Sequence, residues 1–409
     1  MLKLFSWVVL SSLARQLAFL VVNIVLFGRL SRSTYGAIAL GFGYLSVFAG
    51  LGEFGIRQIG WREVARSPEK VQELTTSFLS AKTCTAILSA ALYVALMPLL
   101  WEADRPKAMF FLFGLAIVLN GGTFEFPLYG LHRMDLVARY SALAYAMYLV
   151  GCVVLIWRDD SAWLVPALFL GAMGLLLVLE LRWFRARYGA VRLRVRYEEL
   201  RRILRESWPL GVGDTMNRLV LTYPVILIGF IVGTGGVGDY RVPELLYAFL
   251  AQFGHLFASA GFSQLSHAFR HRGAEVPAAL RGMLAWTAAA ALLAGAGMAG
   301  LGPLVFALTF PDRAGQETLQ VLRVLGAALV FAAPVRFLNA LLASVDRQQL
   351  VLVVNGLAVL SGVGVGWIAC TRYGIVGMSF AVLVTEALTA GILLGVYWKV
   401  LWRRGVAAS

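Results

Sequence analysis

The chain has 409 residues, with 36 Lys+Arg and 22 Asp+Glu, and is 60% hydrophobic but only 14% charged. A soluble domain carries roughly 25% charged residues, so this composition, with a mean hydropathy of +0.77, excludes both an ordinary multidomain soluble enzyme and a disordered chain. It fits a polytopic membrane protein, in which about 20 apolar residues make one helical crossing, and the net charge of +14 must be read by position.

Twelve apolar spans follow in chain order: 6–27, 37–56, 77–100, 108–130, 139–157, 161–180, 207–232, 242–262, 282–309, 320–343, 349–370 and 374–398. The first stays apolar to about Phe27 and lacks a small-x-small cleavage site, so it reads as a retained helix and not as a signal peptide. Backbone polar groups in hydrocarbon need internal partners. Runs such as Ala162–Leu179 are apolar on all sides, without the ten-residue alternation of a porin. The expected class is all-α, with two six-helix lobes.

The basic residues set an orientation. With the N-terminus in the cytoplasm, 23 fall in inner loops and termini: Lys3, Arg57, Arg62, Arg66, Lys70, Arg133, Arg139, nine arginines from Arg182 to Arg205, and Arg270, Arg272, Arg281, Arg347, Lys399, Arg403 and Arg404. Eight fall outside: Arg29, Arg32, Arg105, Lys107, Arg158, Arg241, Arg313 and Arg372. The other five, Arg15, Lys82, Arg218, Arg323 and Arg336, lie within or at the edges of spans. The bias places both termini in the cytoplasm, which requires an even number of spans.

The longest inner loop, 181–206, divides the chain into a first lobe (1–180) and a second (207–398), with a tail over 399–409. Its alternation over Val191–Tyr197 would suit a short strand, but its neighbours favour a polar linker leading into an interfacial helix near Glu198–Glu206. Its arginines suit anionic membrane lipids; nothing around them resembles a nucleic-acid-binding module. The halves echo each other. Ser6-Trp7 with Arg15 parallels Ser207-Trp208 with Arg218, and Phe126-Pro127…Arg133 has a loose counterpart in Phe337-Leu338…Arg347. Two six-helix units would share one orientation about an axis along the membrane normal, leaving a cleft suited to alternating access.

Polar groups inside the spans are the candidate site. Arg15 at midspan is costly in lipid, so it should face a cavity or a carboxylate. Arg218 has Asp214 four residues earlier on the same helical face, either a purely structural pair or part of the site. Guanidinium forks suit phosphate or carboxylate, so the two arginines suggest an anionic ligand. Glu125, within Gly121-Gly-Thr-Phe-Glu-Phe-Pro127 where Gly and Pro permit an irregular helix, and Glu386 are candidate coupling groups or arginine partners. Gln252 and His255 are candidate cavity groups or interhelical hydrogen-bonders. Glu53 reads as interfacial, and Arg323 and Arg336 as snorkelling near span ends. Cys84, Cys152 and Cys370 read as buried thiols with no metal spacing. No nucleotide-binding, zinc-protease or nucleophile-elbow motif is present, so energy would come from an ion gradient, the membrane potential or the substrate gradient unless a separate ATPase supplies it.

Phe27-Gly-Arg-Leu-Ser-Arg-Ser-Thr-Tyr-Gly36, followed by Gly50-Leu-Gly-Glu-Phe-Gly-Ile-Arg57 and Arg62-Glu-Val-Ala-Arg66, resembles the polysaccharide-repeat flippases. These are the O-antigen and exopolysaccharide translocases of the multidrug/oligosaccharidyl-lipid/polysaccharide exporter superfamily. The motif covers roughly residues 27–66, and the layout of six plus six helices extends the likeness along the chain. The resemblance implies a V-shaped, MATE-like transporter of the bacterial inner membrane, not an enzyme and without cofactor or metal. It would move a polyprenyl-pyrophosphate-linked oligosaccharide to the periplasmic leaflet, alongside a polysaccharide polymerase and glycosyltransferases. Arg15 and Arg218 match, by helix and depth, the cationic residues thought to meet the pyrophosphate and sugars. Twelve spans depart from the 14 of lipid II flippases. An ion-coupled small-molecule antiporter built around Glu125 or Glu386 is the alternative.

Overall fold

The computed structural model describes the backbone of residues 2–100, 107–123, 125–194, 196–271, 276–344 and 348–398, and side chains over 15–100, 107–123, 125–194, 196–254, 281–342 and 349–398. The described residues form helices and turns without a strand. By contact density the chain divides into two compact units, Met1–Thr222 and Tyr223–Ser409.

The first unit contains α1 (Leu2–Arg29), α2 (Arg32–Glu53), α3 (Ile56–Arg66), α4 (Val71–Ala95), the single turn α5 (Met97–Leu100), α6 (Lys107–Gly122), α7 (Glu125–Gly130), α8 (Met134–Leu155), α9 (Leu164–Tyr188) and most of α10 (Tyr197–Ile231). Local chemistry sets the boundaries. Ser31 accepts a hydrogen bond from the Thr34 N–H and starts α2, Pro68 opens the 3₁₀ turn before α4, and Gly189 (φ 87°) ends α9 in a conformation that costs a glycine little. Arg29 donates to the Ile156 carbonyl at 2.9 Å and lies over the Trp157 ring at 3.6 Å, tying the end of α1 to that of α8.

Inside this unit α2 packs on α4 and α6, and α1 on α8. Two hydroxyls of α4 donate to α2 carbonyls, Thr85 to Gly52 and Ser89 to Phe48. Tyr93 and Phe110 stack with ring centroids 4.0 Å apart. Around Gly41 a Cβ would meet the Phe113 ring at 2.1 Å, so only glycine admits this aromatic approach.

In the second unit α13 (Gln316–Ser344) packs against α11 (Thr234–His271), α12 (Val276–Thr309) and α14 (Gln348–Tyr397). A Cβ on Gly254 would meet the Ala333 carbonyl oxygen at 2.1 Å, and one on Gly326 the Ala299 nitrogen at 2.8 Å. These glycines set how closely α11 and α12 approach α13. Helix α14 breaks at Tyr373 and Gly374, where φ is 57° at the glycine.

The outward faces remain apolar: Leu88 is 69% exposed, Leu293 75%, Leu308 76% and Leu360 72%. Large apolar side chains left in contact with solvent over many helices are the mark of a lipid-facing surface. Among the described residues nine helices are long and apolar enough to cross a membrane, one of them the broken α14. The protein is therefore a multi-pass membrane protein, and the layout is compatible with the twelve spans expected.

Several expectations need correction. Helix α2 ends at Glu53, within a few residues of the expected end of the second span, and the segment after it contains the amphipathic α3 and not only loop. The arginines Arg182, Arg185 and Arg187 extend α9 and are not part of a linker. The helix at Glu198–Glu206 is not separate: it is the start of α10, continuous with the seventh span. Arg241 does not lie in an outer loop. Gly233, at φ 90°, completes the turn so early that α11 already includes Arg241, buried at 9% exposure. Residues 272–275, 345–347 and 399–409, with Arg272, Arg347, Lys399, Arg403 and Arg404, lie outside the described residues.

Candidate functional site

The first unit's polar cluster is organised by the end of α2. Phe54 (φ 43°) and Gly55 (φ 71°) both take the left-handed conformation and turn the chain into α3. The turn has no spare room: a Cβ on Gly55 would meet the Gly211 nitrogen and the Ser207 carbonyl oxygen at 2.6 Å. The backbone of α10 therefore passes directly against the turn. Glu53, the last residue of α2, is held between the packed helices at 7% exposure.

Four donors gather around that carboxylate. Arg218 Nη2 donates to Glu53 Oε2 at 2.7 Å, and Arg218 Nε donates to Asp214 Oδ2 at 2.8 Å. Lys82 Nζ and Arg57 Nε both lie 3.9 Å from Glu53 Oε1. The Asn120 amide donates to the same carboxylate. The Glu53 charge holds the Arg57 guanidinium, at the start of α3, above its ordinary range.

Lys82 is 2% exposed and also donates to the Thr123 carbonyl at 2.7 Å. This contact explains the next feature. The fourth span is broken, α6 ending at Gly122 and α7 beginning at Glu125. A helix end exposes unpaired carbonyls and partial negative charge, and a buried ammonium beside the last of them satisfies both. Beyond the break, Glu125 Oε1 lies 3.7 Å from Arg15 Nη1, and the Tyr129 hydroxyl is hydrogen-bonded to Arg15. Four cations, Arg15, Arg57, Lys82 and Arg218, thus meet three carboxylates, Glu53, Glu125 and Asp214, across α1, α2, α3, α4, α7 and α10. The arginines remain reachable, with side-chain exposures of 30% for Arg15 and 25% for Arg218.

The second unit has its own polar groups. The Tyr247 hydroxyl donates to Glu386 Oε1 at 2.7 Å, with the Arg336 guanidinium 5.9 Å from the Tyr247 ring. Arg241 Nη1 donates to Glu244 Oε2 at 2.6 Å, both residues being buried.

Of the residues singled out in the sequence, Arg15 and Glu125 form one ion pair and Asp214 and Arg218 another, all four half-buried. Arg15 faces a carboxylate, as its cost in lipid demanded. Glu386 meets Tyr247, while Gln252 is half-buried on α11. His255 belongs to α11, but its side chain lies outside the described residues. Two expectations fail. Glu53 is not interfacial, because α10 closes over the turn that carries it. Arg336 does not snorkel at a span end, because the middle of α13 brings it beside Tyr247. Sequence reasoning also missed Lys82 and Arg57 as site residues. Lys82 could have been found by the argument applied to Arg15: a lone charge in an apolar helix needs a partner. Of the cysteines, Cys152 and Cys370 are buried and Cys84 is half-buried, all three free thiols.

A family model described as "polysaccharide biosynthesis protein" matches residues 1–265. The chain belongs to that family. Its fold is that of the MOP-superfamily transporters. An inward-facing multidrug-resistance MATE transporter of that superfamily is similar with a TM-score of 0.72 at 14% identity, 96% of this chain and 95% of that chain being covered. The lipid II flippase MurJ in an inward closed conformation gives 0.71 at 12% identity over 95% and 87%. The eukaryotic MATE transporter AtDTX14 gives 0.68 at 15% identity over 99% and 97%. No curated protein sequence matches the chain. Sequence thus shows a member of the polysaccharide biosynthesis family, and the solved structures show its fold.

Proposed function

We propose that this family member is a flippase of the bacterial inner membrane, with both termini cytoplasmic. It carries polyprenyl-pyrophosphate-linked oligosaccharide from the cytoplasmic to the periplasmic leaflet by alternating access. A polysaccharide polymerase and glycosyltransferases act beside it, and anionic lipids meet its basic linker. The observation that carries the reading is the gathering of Arg57, Lys82 and Arg218 around Glu53, with the partly exposed Arg15 paired to Glu125 in the same unit. A diphosphate bridging sugar to lipid is the group such a cluster recognises best, since guanidinium forks make bidentate charge-assisted bonds to it. Membership of a polysaccharide biosynthesis family supports the sugar part of the substrate.

The test is accumulation of lipid-linked oligosaccharide in a deletion strain. Wild-type protein clears it, whereas Arg15→Ala and Arg218→Ala at normal expression leave it. Full clearance by both variants overturns the role of the arginines. A second reading, ion-coupled antiport of a small molecule, draws on the Tyr247–Glu386 pair, an acidic group inside the second unit of the kind a coupling ion would use. It predicts cation-dependent efflux that Glu386→Gln abolishes.

A further inference from the structure

We propose that Glu53 is a resident counter-ion seated in an anion site, and that the phosphates of the transported molecule compete with it for the same cations. The inference rests on the reading that the cluster meets a phosphate-bearing headgroup; what it adds is the occupant the substrate must replace.

The carboxylate does not satisfy the donors gathered around it. One carboxylate offers two oxygens to donors from four different helices, α3, α4, α6 and α10. Oε2 takes a true hydrogen bond from Arg218 at 2.7 Å. Oε1 lies 3.9 Å from both Arg57 Nε and Lys82 Nζ, beyond hydrogen-bond reach. Arg57 Nε is buried with no hydrogen-bond partner at all, and the Thr215 hydroxyl is likewise buried and unpartnered. Thr215 belongs to the same place, since a Cβ on Gly50 would meet its Oγ1 at 3.5 Å and the Arg218 side chain at 2.6 Å. Buried donors left unsatisfied in a native protein call for an explanation such as a missing ion. A phosphate presents three or more oxygens in a tetrahedron, against the two that a carboxylate offers to these donors.

Charge points the same way. With Glu53 displaced, Arg57, Lys82 and Arg218 lose the carboxylate that all three share within 4 Å, and the acids left near them are Asp214, Glu125 and Glu180. Asp214, 2.8 Å from Arg218 Nε, keeps that guanidinium in place when Glu53 gives way. Arg57 and Arg218 are partly exposed, with side-chain exposures of 36% and 25%, while Lys82 is buried at 2%. If Glu53 were only a structural tie, its neutralisation would loosen the cations and weaken anion binding. As a competitor, its neutralisation strengthens binding.

The experiment measures inorganic pyrophosphate binding by the full chain in phosphatidylcholine nanodiscs, for wild type, Glu53→Gln, Glu53→Asp and Glu53→Gln/Arg57→Gln. The amide keeps the volume of the side chain. Glu53→Gln is expected to bind about tenfold tighter, the scale for removing one like charge a few ångströms from the ligand in a partly hydrated site. The shorter Glu53→Asp, whose carboxylate withdraws from Arg218, falls between the two, and it decides the matter if Glu53→Gln does not fold. The double variant loses the gain. Equal or weaker binding by the folded Glu53 variants overturns the inference. If instead no variant binds pyrophosphate and Arg218→Ala clears lipid-linked sugar normally, the underlying flippase reading fails. Farnesyl pyrophosphate should displace inorganic pyrophosphate. Displacement of equal strength by phosphatidylglycerol placed in the disc would make this a general headgroup site and overturn the transported diphosphate as its ligand.

Discussion

Replacing Lys82 by methionine tests how the first unit is held together. The side chains are of similar length, so the change removes the charge without opening a large cavity. Two interactions disappear. The Thr123 carbonyl loses its 2.7 Å donor, and Glu53 loses one of its cations, leaving it Arg218, Arg57 and Asn120. A hydrogen bond from a charged group is worth about 1.5–3 kcal/mol. Breaking a buried ion pair outright costs about 3–5 kcal/mol, because a buried charge is left unpaired. Here Glu53 keeps partners and the desolvation cost of the ammonium is recovered, so the loss should be about 2–3 kcal/mol. For a unit of 222 residues, at about 2–4 °C per kcal/mol, the melting temperature in detergent falls by roughly 5–10 °C. Coupling provides the sharper assay. In Lys82→Met/Glu53→Gln neither charge is stranded, so the double variant should be less destabilised than the sum of the singles by about 1 kcal/mol or more. A Lys82→Met melting temperature within about 1 °C of wild type, or strict additivity in the cycle, refutes the idea that Lys82 secures the broken fourth span.

Three further outcomes follow from the same structure. Arg241→Ala strands Glu244 in the second unit and should lower stability by about 3 kcal/mol, while Arg241→Ala/Glu244→Gln recovers much of it; an unchanged melting temperature for the single variant would return Arg241 to an exposed loop. Gly211→Ala places a Cβ 2.6 Å from the Phe54 backbone and should cost about 1–3 kcal/mol through overpacking, whereas Gly213→Ala, with open space around it, should cost nothing measurable by thermal denaturation. Arg29→Ala removes its bond to the Ile156 carbonyl and the Trp157 stack; the expected loss of about 1–2 kcal/mol should appear as faster hydrogen exchange at the end of α8, and unaltered exchange there would contradict the tie.

The sequence was most informative where one residue type suffices to dictate behaviour. Long apolar runs require helices in lipid, whatever their neighbours, so the all-α membrane class was legible from composition and spacing. Gly121-Gly122 and Pro127 permitted the irregularity of the fourth span, and the four-residue spacing of Asp214 and Arg218 put them on one helical face, both being local matters. Arg15 in midspan implied a partner without identifying it.

What the sequence could not supply was the identity of partners distant along the chain. Glu53 meets Arg218 because Gly55 and Gly211 let α10 pass within backbone contact of the α2 turn, and it meets Lys82 and Asn120 because α2 packs on α4 and α6. That close approach turns a carboxylate that reads as interfacial into a buried hub. Arg241 and Arg336 were misplaced for a related reason: hydropathy locates a span but not the turn that begins it or the face a side chain presents to its neighbours. Composition and periodicity alone therefore determined that this chain is a helical membrane protein with a few costly charges inside it. Only the tertiary structure decided which charges meet, because an ion pair depends on distances of a few ångströms that helix packing, and not helix sequence, sets.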